Sequence, residues 1–113
     1  PVSASCGLSV NPTTPFNLAE LKEKYDYIVI AGGLLSETRQ SPESVLTALK
    51  TIHEAKIPII ALCSGWFVLG NAGLLDGRKC AIHFTTRDEF ANRFPKTITI
   101  IDQSYVEDSG IFT

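Results

Sequence analysis

The stretch IPIIALCSGWFVLGNAGLL, residues 57–75, decides how the rest of the chain is organised. An apolar run stops abruptly at Cys63, and a second apolar run follows until Gly73. This pattern predicts a buried strand, a sharp turn and a buried helix. Residues 61–65 (ALCSG) have the form small, any, nucleophile, any, small, which is the pattern of a nucleophile elbow. Bulk two positions from the central residue would clash in such a turn.

Cys63 is the candidate nucleophile if this chain carries out chemistry. In the predicted turn it lies at a helix N-terminus, where unpaired N–H groups and the helix dipole favour a thiolate. The alternative is a structural cysteine, because free cysteine is among the most buried residue types. The spacing alone leaves both interpretations open.

The residues before the elbow predict a glycine pair at the same edge of the sheet as the elbow. Residues 27–31 (YIVIA) form a β-branched run typical of a strand buried on both faces, and Gly32–Gly33 ends it. Residues 42–55 carry one apolar stripe at helical spacing. Strand, helix and strand make a βαβ unit with parallel strands, so Gly32–Gly33 and Cys63–Ser64 should open into one crevice. Their N–H groups could flank a carbonyl oxygen or a carboxylate there, although a Gly-Gly pair is also an ordinary turn signal.

The remaining elements are predicted from short local patterns. Thr86 and Glu89 have the spacing of a capping box at the start of a helix. Asp108, Ser109 and Gly110 provide turn residues for a hairpin. The predicted elements are a surface helix over 18–24, a strand over 79–84, a helix over 87–94, a strand over 97–101 and a hairpin over 105–113.

Composition excludes several classes of function. The 113 residues fit one domain, and the net charge of −2 is spread along the chain, so no nucleic-acid surface or membrane-binding face is expected. No apolar run approaches the roughly 20 residues of a membrane span and no signal peptide is evident, so we expect a cytoplasmic protein. The odd count of three cysteines argues against a disulfide framework. Cys80 and His83 have a metal-like spacing, but two histidines without a further cysteine pair predict no metal site, and no cofactor is expected.

Together these motifs resemble the ThiJ/PfpI superfamily. The closest resemblance is to the class I glutamine amidotransferase-like sensor domain of GlxA-like, AraC-family transcriptional regulators, and it runs from about residue 8 to residue 113. It implies a flavodoxin-like three-layer α/β sandwich with a mainly parallel sheet, here an incomplete fragment truncated at both ends. The motifs that carry it are Gly32–Gly33, ALCSG at 61–65, VLGNAGLLDG at 68–77, IHF at 82–84 and FANRFP at 90–95.

The resemblance also assigns candidate site residues. Cys63 matches the family's elbow cysteine and His83 the histidine placed near it, which makes these two the candidate catalytic residues. Ser64, Gly32 and Gly33 match the amides that bind an oxyanion. The predicted ligand-binding set is therefore Gly32, Gly33, Cys63, Ser64 and His83.

Two functions of different class follow from the resemblance. The first is the ligand-sensing domain of a bacterial AraC-family regulator, which binds a small polar metabolite, such as a carboxylate or a quaternary amine, in the crevice at Cys63. DNA would then be bound by a separate C-terminal helix-turn-helix domain of the parent protein, which we expect to be a homodimer. The alternative is a stand-alone cysteine enzyme, such as an isocyanide hydratase, an amidase or a glyoxalase-like hydrolyase, with Cys63 as the nucleophile.

Overall fold

A computed structural model describes residues 2–3, 7–11, 21, 23–32 and 41–113 of the chain. The strands β1 to β8 are Val2–Ser3, Ser9–Val10, Ile28–Ala31, Ile59–Leu62, Lys79–Ala81, Ile98–Ile100, Glu107–Asp108 and Ile111–Phe112. The helices α1 to α3 are Glu43–Glu54, Trp66–Asn71 and Arg87–Arg93, and short 3-10 turns span Cys63–Gly65 and Phe84–Thr86. Of the helix predicted over 18–24, residues 21, 23 and 24 are helical and the others lie outside the described residues.

The predicted βαβ unit is present. Its first strand, β3, is the end strand of the described sheet, and Val29 is exposed, so the prediction of a strand buried on both faces is wrong. The main sheet has the order β3-β4-β8-β7, in which β3, β4 and β8 run parallel and β7 is antiparallel to β8. Ile28 lies opposite Ile59, and Ile59 lies opposite Ile111, so these side chains form one row on one face of the sheet. That row packs with Leu49 and Ile52 of α1 in the main hydrophobic cluster.

Helix α1 begins one residue later than its sequence pattern predicts. Pro42 has an extended conformation, with φ −59° and ψ 142°, and occupies the N-cap position. The hydroxyl of Ser41 does not cap this helix and instead accepts a hydrogen bond from the Asn71 side chain at 3.1 Å. This bond joins the start of α1 to the end of α2.

A second parallel unit follows the elbow, in which α3 connects β5 to β6. Lys79 pairs with Ile98, and this register continues to the end of both strands. The predicted strand over 79–84 ends at residue 81 because the chain turns into the 3-10 segment. The unit is joined to the hairpin by side chains, since the Ala81 N–H donates to Thr113 Oγ1 at 2.9 Å. The hairpin itself is confirmed, and its turn residues Ser109 and Gly110 have positive φ, as tight hairpin turns require.

Aromatic side chains hold the helix after the elbow against α3. Phe67 is fully buried, and its ring contacts those of Trp66, Phe90 and Phe94 with centroid distances of 4.7, 5.6 and 6.1 Å. Burial of a side chain of this size contributes about 1.5–3 kcal/mol. The cluster therefore anchors the elbow from its helical side.

Candidate functional site

Cys63 occupies the turn that the elbow motif predicts. It follows β4 directly and begins the 3-10 turn that leads into α2. Its φ of +54° lies in the left-handed region, which costs an L-residue about 1–2 kcal/mol. The thiol is nevertheless exposed. The surrounding structure thus holds the Cys63 thiol at the surface on a strained backbone.

Two glycines explain why the turn tolerates only small neighbours. A Cβ atom on Gly65 would lie 2.8 Å from the carbonyl oxygen of Ile30 in β3. A Cβ atom on Gly32 would lie 2.6 Å from the backbone nitrogens of both Ser64 and Gly65. The end of β3 therefore packs directly against the backbone of the elbow.

Gly32 has a different role from the one expected. Its N–H donates to the Leu62 carbonyl oxygen at 3.0 Å and so extends the ladder between β3 and β4. Because that N–H is already bonded within the sheet, Gly32 supports the elbow and does not present a donor to a ligand. Gly33 lies outside the described residues.

Cys63, Ser64 and His83 line one open cleft with a volume of about 570 Å³. The cleft lies where β4, β5, β6 and β8 end at their carboxyl termini, the edge that hosts ligands in open α/β sheets. The other lining residues described are Ala61, Trp66, Ala81, Ile82, Phe84, Thr85, Thr86, Ile101, Gln103, Ser104 and Thr113.

The imidazole of His83 is held by the turn that follows it. The backbone N–H of Thr85 donates to His83 Nδ1 at 3.3 Å, and the Thr85 hydroxyl lies 2.7 Å from the same nitrogen. A backbone N–H can only donate, so Nδ1 is the acceptor and the neutral ring carries its proton on Nε2. The ring also stacks on Phe84, with centroids 4.6 Å apart and an interplanar angle of 28°. In this tautomer the N–H of His83 lies on Nε2.

The structure places the two candidate catalytic residues in the same cleft but does not join them. Within the described parts of the chain, no residue makes a hydrogen bond to Cys63 Sγ. Nucleophilic catalysis by a thiol uses a base within hydrogen-bond reach, about 2.6–3.2 Å. The described geometry therefore presents Cys63 and His83 as separate elements of the cleft wall.

Several cleft residues were not predicted from the sequence. Ile101, Gln103 and Ser104 follow β6 and belong to no recognised motif, and Phe84 ends the IHF motif after β5 but was not assigned to the site. The signal that could have found them is the second parallel unit, because strands 79–84 and 97–101 with a helix between them also predict a shared carboxyl edge.

Neither Cys80 nor His53 lines the cleft, and Cys6 lies outside the described residues. Burial raises the pKa of the Cys80 thiol to about 12, so Cys80 is a structural residue. Burial and, second, the charge of Arg78 lower the pKa of His53, whose Nε2 accepts a hydrogen bond from that guanidinium at 3.2 Å. Among residues 41–113 and the other described segments, no cluster of three or more metal-ligating side chains occurs. None of the helices described is both long and apolar enough to cross a membrane.

Comparison with known proteins gives matches of two functional kinds. A model of the DJ-1/PfpI family matches residues 1–113. The isonitrile hydratase of Pseudomonas putida is 31% identical over 88 residues, which cover 78% of this chain and 37% of that protein. The HTH-type transcriptional regulator ArgR of Pseudomonas aeruginosa is 43% identical over 51 residues, covering 45% of this chain and 16% of the regulator.

A solved structure extends the similarity over nearly the whole chain. The crystal structure of an AraC family transcriptional regulator from Pseudomonas putida superposes with a TM-score of 0.75 and 29% identity, covering 98% of this chain and 57% of that one. The expected flavodoxin-like α/β fold with a mainly parallel sheet is therefore confirmed. The chain spans only 16%, 37% and 57% of the lengths of these three proteins.

Proposed function

The chain belongs to the DJ-1/PfpI family, and on that premise we propose that it is the ligand-sensing domain of an AraC-family transcriptional regulator. Its ligand is a small molecule bound in the cleft around Cys63. Similarity to two regulators supports the proposal. The net charge of −2 and the lack of a basic segment also fit this proposal, because in such a regulator a separate domain makes the DNA contacts.

The observation that carries the proposal is the arrangement of Cys63 and His83 in the cleft. The cleft is large enough for a metabolite, and both side chains line it. His83 Nδ1 is engaged by the Thr85 backbone, and Cys63 Sγ has no hydrogen bond to another described residue. The cleft thus has the volume and the exposed polar side chains that recognition of a small ligand requires.

A cysteine enzyme is the second candidate, and one observation favours it. Cys63 is exposed while its backbone is held at positive φ, and strained conformations of this kind cluster at active sites. In hydration of an isonitrile, Cys63 Sγ would add to the terminal carbon, and that carbon would take up a proton to give a thioimidate. Water would then add to the thioimidate carbon, the nitrogen would gain a proton, and the Cys63 thiol would leave to give an N-substituted formamide. His83 Nε2–H and the amide of Ser64 would face the developing charge.

The test uses the full-length protein and a pair of matched substitutions. Ile98 at the start of β6 and Ile101 just after its end are both exposed, but of these two only Ile101 lines the cleft. DNA sites are first mapped by footprinting, and transcription from such a site is then measured for Ile101→Trp and Ile98→Trp. The proposal predicts specific DNA sites and a response that is lost in Ile101→Trp and kept in Ile98→Trp. Absence of specific DNA binding, together with formamide production from an isonitrile by the wild type but not by Cys63→Ala, would establish the enzyme instead.

A further inference from the structure

The described wall of the cleft has no carboxylate, ammonium or guanidinium side chain. None of its lining residues in the described parts of the chain is Asp, Glu, Lys or Arg. The polar side chains are the Cys63 thiol, the His83 imidazole and the hydroxyls and amide of Ser64, Thr85, Thr86, Gln103, Ser104 and Thr113. An ion that enters such a site loses hydration and gains no opposite charge in return. Among the described residues of the cleft, an ionic ligand therefore finds no carboxylate, ammonium or guanidinium partner.

The same wall offers an aromatic surface. Phe84 is 68% exposed, although it is a large apolar residue, and its ring stacks on that of His83. An exposed ring of this kind gives a flat ligand a face on which to stack in an offset or edge-on arrangement. The remaining wall adds apolar contact from Trp66, Ile82 and Ile101.

Hydrogen-bond donors complete the chemistry of the cleft. The Thr85 N–H occupies His83 Nδ1, so Nε2 of the neutral ring carries the proton and donates. The side-chain amide of Gln103 supplies two further N–H donors. These groups match a neutral acceptor such as a carbonyl oxygen.

We infer that the cleft binds an uncharged compound with a planar ring and a carbonyl acceptor, of the class of aromatic or cyclic carboxamides. This inference rests on the proposed function, because it names the ligand class of the same cleft. It replaces the carboxylate or quaternary amine that the sequence alone suggested, since the described wall provides no opposite charge for either.

The test compares three probes of similar shape and different charge, namely benzamide, benzoate and benzylamine, by calorimetric titration of the full-length protein. We expect benzamide to bind about tenfold more tightly than either ion. Benzoate or benzylamine binding to the wild type as tightly as benzamide would overturn the inference.

Substitutions test whether binding occurs in the cleft, and they distinguish failure of this inference from failure of the proposed function. Gln103→Lys places a cation in the cleft wall and should raise benzoate affinity about tenfold, whereas Asn92→Lys adds the same charge on exposed α3 and should leave it unchanged. Equal gains in both variants would also overturn the inference. If no probe binds, or if Ile101→Trp leaves benzamide binding intact, the inference about the ligand class is overturned. The proposed function fails as well only if Ile101→Trp also keeps the transcriptional response, because the cleft is then not the ligand site.

Discussion

Replacement of Gly32 by alanine should strongly destabilise the protein, because the methyl group has no space. The new Cβ would lie 2.6 Å from the backbone nitrogens of Ser64 and Gly65 and 2.7 Å from the Leu62 carbonyl oxygen. All three neighbours are backbone atoms, so no side-chain rotation can relieve the overlap. Either β3 must move away from β4 or the elbow must shift.

The expected magnitude follows from the number and kind of these contacts. Overpacking of a core typically costs about 1–3 kcal/mol, and three backbone overlaps at once place this change near the upper end, about 3 kcal/mol. With roughly 4 °C lost per kcal/mol in a domain of this size, the melting temperature should fall by about 12 °C. Calorimetric and urea unfolding of the full-length protein measure both quantities.

Gly70→Ala is the matched control. A Cβ atom there would lie 2.7 Å from ring atoms of Phe94, a distance similar to those between a Cβ atom on Gly32 and its neighbours. An aromatic ring at the edge of the core can turn aside, and alanine favours a helix over glycine by about 1 kcal/mol. We therefore expect a net cost below about 1 kcal/mol for Gly70→Ala. A Gly32→Ala protein as stable as Gly70→Ala would refute the packing of β3 against the elbow.

Three further predictions address individual side chains. Iodoacetamide at pH 8 should label Cys63 in the native protein and leave Cys80 unlabelled until denaturant is added. The reason is that Cys80 is buried with a pKa of about 12, so only about one Cys80 thiol in ten thousand is ionised at this pH. Rapid labelling of Cys80 in the native protein, seen by peptide mass mapping, would contradict this. The pKa of His53 is lowered by burial and a neighbouring arginine, so the unfolded chain binds a proton more readily, and stability should fall as the pH drops below 6.5 towards the folded value. His53→Gln should flatten that part of the pH–stability curve, and an unchanged slope would argue against the assignment. Thr113→Val removes the acceptor of the Ala81 N–H and should cost about 1–3 kcal/mol, whereas Thr113→Ser should restore most of it in urea unfolding.

Local patterns were sufficient to predict the elements that position the elbow. The apolar run at 57–62, the stripe over 42–55 and the β-branched run at 27–31 each specify one element, and the handedness rule for parallel units joins them. The structure confirms the parallel register of β3 and β4. The hairpin could also be predicted from the sequence, because its turn residues identify it.

The details of the site depended on tertiary contacts that no local pattern encodes. The bonding of the Gly32 N–H follows from the register between two strands, which fixes Leu62 as its partner. The expected capping box at α3 did not form at Thr86, whose hydroxyl donates to the carbonyl oxygen of His83 instead. Gln103 lies in the cleft only because β6 ends beside β5.

The most direct test of the central claim is the transcriptional response of a full-length Cys63→Ala protein under a condition that switches the wild type. Binding of a ligand without covalent chemistry predicts that this variant still binds its DNA site and still switches, with the ligand concentration at half-response changed by less than about tenfold. A Cys63→Ala protein that folds and binds DNA but no longer switches would show that the thiol must react, and the account of the cleft as a recognition site would be wrong.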